Sequence, residues 1–253
     1  RKVRLRHQLW DYFSTRYYYL AGVSLKSLAA MPEMRDEGKR AAMELLQRIA
    51  SAAYLGGGDY YPTVISRMLQ LSMRYGRTRV LAYALTNFAA LQIIIEKDIL
   101  GGNERDEQTL QLIRSQTWSE LNDRARFIQA SFVSHWRHGP RSTEDALVLT
   151  YQSCIDHGDL LYATYSLVNS HIFQILSGRN LEDLSQNGEK YLKAVTRYRQ
   201  HSAYIELGTA AVETLRFYDP ETVDRRLLEV EVTEQDFTGF AFQYANLLFV
   251  CYV

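Results

Sequence analysis

The stretch VLAYALTNFAALQIIIEK, Val80 to Lys97, decides the fold. It contains no proline and no strand-like alternation, and it reads with a helical period. Its Tyr83-Ala84 pair recurs at Tyr162-Ala163 and Tyr244-Ala245, early in a helix each time. The pairs lie two repeats of ~40 residues apart, a period longer than the tetratricopeptide repeat and closer to HEAT-like hairpins. Phe127 and Tyr204 fall near the intermediate positions. One large and one small residue on an inner face let neighbouring hairpins approach closely. A single hairpin cannot bury its apolar face alone, so the stack must be continuous. The expected fold is all-α: a right-handed α-solenoid of TPR/HEAT-like helical hairpins.

Working outward, the same period continues almost everywhere. Leu5, Leu9, Tyr12, Phe13, Arg16, Tyr17 and Leu20 give a first helix with one apolar face. Met31-Pro32 breaks the pattern, Asp36 starts a second helix to about Tyr54, and Gly56-Gly57-Gly58 ends it. Asp59 is placed to cap a helix to Tyr75, and Gly101-Gly102 should end the Val80–Lys97 segment. Further helices are expected over Asp106–Thr117, Ser119–Trp136, Ser142–Asp156, Leu160–Leu176, Leu181–Tyr198, Ala203–Tyr218 and from Phe237 onward. Ser142-Thr143-Glu144-Asp145 reads as an N-cap followed by acidic residues, which the helix dipole favours. Leu227 to Val232 alternates, and an extended connector or frayed helix is expected there. The domain expectation is one helical-repeat domain over 1–253: a linker helix at 1–35, a repeat core at 36–220, and a connector with a truncated last helix at 221–253. The chain opens on Arg1 and closes within an apolar pattern at Cys251-Tyr252-Val253, so both ends read as cuts in a longer chain.

Composition narrows the function classes. Hydrophobic residues at 47% and charged residues at 23% suit a globular protein with a substantial core. A formal net charge of zero argues against chain-wide attraction to nucleic acid or anionic membrane. Arg1, Lys2, Arg4 and Arg6 form a local basic start, read as a solvated face in preference to an acidic-partner or membrane contact. Cys154 and Cys251 are far apart without CxxC spacing, which fits buried thiols in a reducing, cytoplasmic compartment. No apolar run approaches the ~20 residues of a transmembrane helix.

Several constellations invite chemistry and fall short of it. His135 and His138 share a helix face, but no third metal ligand is signalled. Cys154, Asp156, His157 and Asp159 crowd one helix end. A Cys-His nucleophile with a third, orienting group is rarely arranged at i and i+3 of one helix, and Asp159 is explained as the N-cap of the next helix. The triple glycine precedes no Lys-Ser/Thr, so it is not a phosphate loop. Neither a catalytic residue nor a cofactor is expected.

The order and spacing of segments resemble the helical-repeat region of large bacterial signalling proteins. The matching stretches are Leu28 to Asp36, Ala41 to Leu46, Ala53-Tyr54, Arg67 to Ser72, and Tyr75-Gly76 before Ala82-Tyr83-Ala84. Phe127 to Trp136, Ala146 to Tyr151, and His157 to Leu160 with Tyr162-Ala163 continue the match. In that family a Ser/Thr kinase-like domain and an AAA/STAND-type ATPase precede the repeats. GAF or PAS sensors and a histidine kinase or cyclase output follow them. The resemblance implies a non-catalytic scaffold or sensor arm that contacts the flanking ATPase and sensor or output domains, with self-association left open. Candidate binding residues on a concave face are Tyr83, Asn87, Tyr162, Tyr165, Asn169 and Tyr204. The rival expectation is a free-standing TPR-like peptide adaptor gripping its ligand with Lys190, Lys193, Arg197 and Arg199.

Overall fold

Helix α5, Leu81–Glu96, is apolar on every side, and every residue from Leu81 to Ile93 is buried. A helix without a polar face must be enclosed by others. The computed structural model describes residues 5–55, 60–114 and 122–198. Within them the chain is all-α, and its one strand-like contact is an isolated parallel bridge between Glu33 and Arg77. Helices α1 (Leu5–Ser14), α2 (Leu25–Ala29), α3 (Glu37–Leu55) and α4 (Tyr61–Tyr75) precede α5. Helices α6 (Ile99–Arg114), α7 (Asn122–Gln129), α8 (His135–Asp156), α9 (Leu160–Leu176) and α10 (Leu181–Arg197) follow it. π-helical turns extend α1 over Thr15–Tyr19 and join α7 to α8 over Ala130–Ser134. Two compact units divide between Arg137 and His138.

In the first unit, α3 packs on α4, α4 on α5 and α5 on α6, while α7 also packs on α5 and α1 lies on α4. Fully buried Tyr12, Met43, Ile65, Met68, Leu69 and Phe88 make its core. The connectors before α3 and α5 are tied together. Met34 N–H donates to Arg77 O (2.9 Å) and Arg77 N–H to Pro32 O (2.8 Å). Gly76, at φ 111°, ends α4 at this crossing, where a Cβ would lie 2.5 Å from the Pro32 carbonyl. Only glycine satisfies both demands.

In the second unit, α9 plays the central part that α5 plays in the first. Leu167, Val168 and Ile172 pack against Tyr191 and Val195 of α10. The Glu144 carboxylate of α8 accepts Arg179 Nε (3.1 Å) and Nη2 (2.8 Å), a bidentate clasp on the connector before α10. Asp159 caps α9 as expected, accepting Tyr162 N–H at a long 3.5 Å, and Asn180 caps α10 by accepting Glu182 N–H at 2.8 Å.

Three local expectations change. Gly101-Gly102 does not end α5; Lys97 does, in the left-handed region at φ 59°, and both glycines stand inside α6. Their role is close approach, because a Cβ on Gly102 would sit 2.4 Å from Ile93 Cγ1. Ser142 is not an N-cap. The break is at Gly139 (φ 78°), followed by Pro140, and the Ser142 and Thr143 hydroxyls donate back to the Gly139 carbonyl at 3.4 and 3.3 Å. Proline at the first helical position has no N–H to leave unpaired, so it starts the helix earlier. Finally, α2 forms as a separate short helix, capped where Ser24 Oγ accepts Ser27 N–H. The triple glycine, Asp59, and everything expected beyond Tyr198, including the Tyr244-Ala245 pair, lie outside the described residues.

Candidate interaction surface

The rotation of α1 sets what it presents to solvent. Gln8, Tyr12, Thr15 and Leu20 point inward, whereas Trp10 (67% exposed), Tyr17 and Tyr18 (78%) point outward. The buried face is thus rotated roughly a quarter turn from the expected one, which included Phe13 and Tyr17. A polar knot fixes this rotation. Tyr12 stacks on Phe88 of α5 (4.9 Å, 16° between planes), and its hydroxyl donates to Glu96. Burial, and then that hydrogen bond, pushes the phenol above its ordinary pKa. Arg16 Nε lies 3.5 Å from the Glu96 carboxylate and Nη2 lies 3.9 Å from Asp98. Asp98 accepts Gly101 N–H (2.9 Å) and Gln92 Nε2 (2.7 Å), which hold its carboxyl below the usual range. Arg105 of α6 completes the knot, donating to Gln92 Oε1 at 3.1 Å and lying 5.7 Å from the Phe88 ring. Burial lowers the Arg105 pKa.

The α4 side is also polar. Arg67 Nη2 pairs with Asp11 at 3.2 Å, Arg67 Nη1 donates to Gln70 Oε1 at 3.0 Å, and Gln70 Nε2 donates to Thr15 Oγ1 at 2.9 Å. Held this way, α1 and α4 enclose a groove of about 370 Å³, lined among others by His7, Trp10, Ser14, Tyr19, Arg67 and Gln70. Phe13 and Tyr17 stack beside it at 6.1 Å, and the Arg16 guanidinium lies 5.8 Å from the Tyr17 ring. The π-helical turn places Tyr17 and Tyr18 side by side on the exposed face while Tyr19 faces the groove. An exposed run of large aromatic rings beside a groove is characteristic of a contact surface, because such rings supply most of the energy at protein interfaces.

The six residues expected on a concave face are placed otherwise. Tyr83, Asn87, Tyr162 and Asn169 are buried, Tyr165 is half-buried, and Tyr204 lies outside the described residues. Asn87 Nδ2 donates to Tyr83 O at 2.6 Å and Asn87 Oδ1 accepts the Tyr61 hydroxyl; Asn169 Nδ2 donates to Tyr165 O at 3.0 Å. They meet in pairs, Tyr83 with Asn87 in the first unit and Tyr165 with Asn169 in the second. Lys190, Lys193 and Arg197 are exposed along α10, and Arg199 lies outside the described residues.

The His135 ring lies 5.0 Å from Trp136, and burial pushes its pKa down to about 4. Cys154 is a buried thiol in no disulfide, while His157 is exposed. No three His, Cys, Asp or Glu side chains among the described residues are grouped to hold a metal ion. None of the described helices is long and apolar enough to cross a membrane. The α1 surface was hidden in the sequence because Tyr12 and Trp10 lie two residues apart and only one can face the core. The i, i+3, i+7 spacing of Trp10, Phe13 and Tyr17 was the available signal. Comparison of the chain with protein-family models, curated proteins and solved structures finds no match.

Proposed function

We propose that this chain is a non-catalytic, cytoplasmic helical-repeat scaffold that works by protein contact, as the sensor arm of a multidomain signal-transduction ATPase or kinase. The observation that carries the contact role is the exposed aromatic face of α1 beside its groove with α4. The family setting rests on the segment resemblance. The successive packing of α3, α4, α5 and α6 supports a stack of hairpins, which we propose continues as a right-handed solenoid. A photo-crosslinking residue at position 10, introduced into the natural gene product in its own cells, tests this reading. Crosslinks to a flanking ATPase, sensor or output domain are the expected result. An absence of protein crosslinks at position 10, alongside efficient crosslinks from α10, would favour the free-standing peptide adaptor, whose exposed Lys190, Lys193 and Arg197 offer an alternative grip.

A further inference from the structure

The contact face has a charge character as well as an aromatic one. Helices α1 and α4 hold three arginines (Arg6, Arg67, Arg74) and one carboxylate (Asp11), within a chain whose net charge is zero. Arg6 is exposed at the start of α1, two residues before buried Gln8. Arg67 and Arg74 are both exposed on α4 and seven residues apart, so they share a helix face. That face is the one turned to α1, since Arg67 and Gln70 reach Asp11 and Thr15. Asp11 is already paired with Arg67, and Arg16 is held by Glu96 and Asp98. Arg67 lines the groove with Asp11, while exposed Arg6 lies one helical turn from the lining residue Trp10 and exposed Arg74 one turn from the lining residue Gln70. The two helices therefore carry an excess of cationic charge next to the groove. Such a surface is complementary to carboxylates flanking an apolar side chain, and the groove of about 370 Å³ has room for one large side chain beside Trp10.

We propose that the α1–α4 groove docks an acidic amphipathic segment of a partner protein. Its apolar side chain seats beside Trp10, and its carboxylates meet Arg6, Arg67 and Arg74. This rests on the contact role proposed above and names the chemistry of the occupant. From Trp10 to Tyr17 the face is about 10 Å long, so the docked segment is about two helical turns.

The test uses the full chain and a short synthetic amphipathic peptide with Glu on one face and Leu and Phe on the other. Its controls are the same peptide with Lys replacing Glu, and phosphatidylserine vesicles. The acidic peptide should bind, more weakly as salt rises. Trp10→Ala should weaken binding about tenfold or more, as for an aromatic anchor. Arg6→Glu should weaken it too, and Arg48→Glu, on the exposed side of α3, should leave it unchanged. Trp10 is largely solvent-exposed, so circular dichroism of its alanine variant should match the parent. Equal binding of the Lys peptide, or binding indifferent to Trp10→Ala, overturns the proposal. Vesicle binding that depends on Trp10, without peptide binding, overturns it in favour of a membrane surface. Position-10 crosslinks to a partner that shows no preference for acidic segments would sink this inference and leave the contact role standing.

Discussion

Helices α5 and α9 start with the same local chemistry and finish with opposite kinds. Tyr83-Ala84 and Tyr162-Ala163 both fall in the first turn, and one turn later Asn87 and Ser166 donate back to the tyrosine carbonyls at 2.6 and 2.7 Å. Beyond that turn they diverge. Gln92 of α5 joins a charged knot with Asp98 and Arg105. His171 stands 79 residues after Gln92, as Tyr162 does after Tyr83, and neither of its ring nitrogens has a hydrogen-bond partner. It lies edge-on to Tyr191 at 6.4 Å, and the nearby bonds that join α9 to α10 are neutral, Gln174 to the Tyr191 hydroxyl and Asn187 to Gln174. The shared opening shows that two helices can keep the same start while each solves its own polar burial.

The largest test of this contrast is pH. Asp106 of α6 is buried, hydrogen-bonded by Gln129 and Thr86, and burial pushes its carboxyl up to about 7. Its folded pKa exceeds the unfolded value, so the folded chain keeps a proton that the unfolded chain has released. Stability should fall as pH rises from about 4 to about 7, by up to about 4 kcal/mol from this group. Asp106→Asn should cancel that slope, so its advantage over the parent in urea unfolding should grow across the window. An advantage independent of pH would refute the assignment.

His171 works in the other direction and slightly less strongly. Burial pushes its pKa down to about 4, so the unfolded chain takes up a proton near 6.5 that the folded chain refuses. Stability should fall by up to about 3 kcal/mol as pH drops from about 6.5 to about 4. His171→Phe should remove this loss, leaving the similar contribution of His135 in the first unit. Amide exchange read hairpin by hairpin would separate the two: α9–α10 should loosen in acid, and the Asp106 contact of α5–α6 as pH rises.

A smaller effect concerns packing. Gly102→Ala places a methyl group against Ile93 and should cost about 1–3 kcal/mol by overpacking, measured as a shifted urea midpoint. The smallest effect tests the shared start. Ser166→Ala removes one hydrogen bond and should cost about 1 kcal/mol. Asn87→Ala also removes the acceptor for Tyr61 and should cost about 1 kcal/mol more in the same unfolding experiment. Equal costs would mean that the two turns are more alike than their partners suggest.

Much of the fold was legible in the residues. The helical period, the Met31-Pro32 break and the Asp159 cap follow from local sterics and hydrogen bonding, which neighbours in sequence supply. Gly101-Gly102 misled because a glycine that permits close approach looks, in sequence, like one that ends a helix. The candidate site was less legible. Tyr83, Asn87, Tyr162 and Asn169 have the polarity of surface residues, yet they are buried because α5 and α9 are surrounded.

By itself, then, the sequence determined that the described chain is helical and where most helices break, since those outcomes depend on interactions within a few residues. Tertiary structure decided which way each helix faces. On α1 the choice between Tyr12 and Trp10 was settled by Phe88, Glu96 and Gln70, side chains 55 or more residues away in sequence. A polar residue such as Thr15 can be buried at little cost once such a distant partner satisfies it, and that choice leaves the rings of Trp10, Tyr17 and Tyr18 exposed.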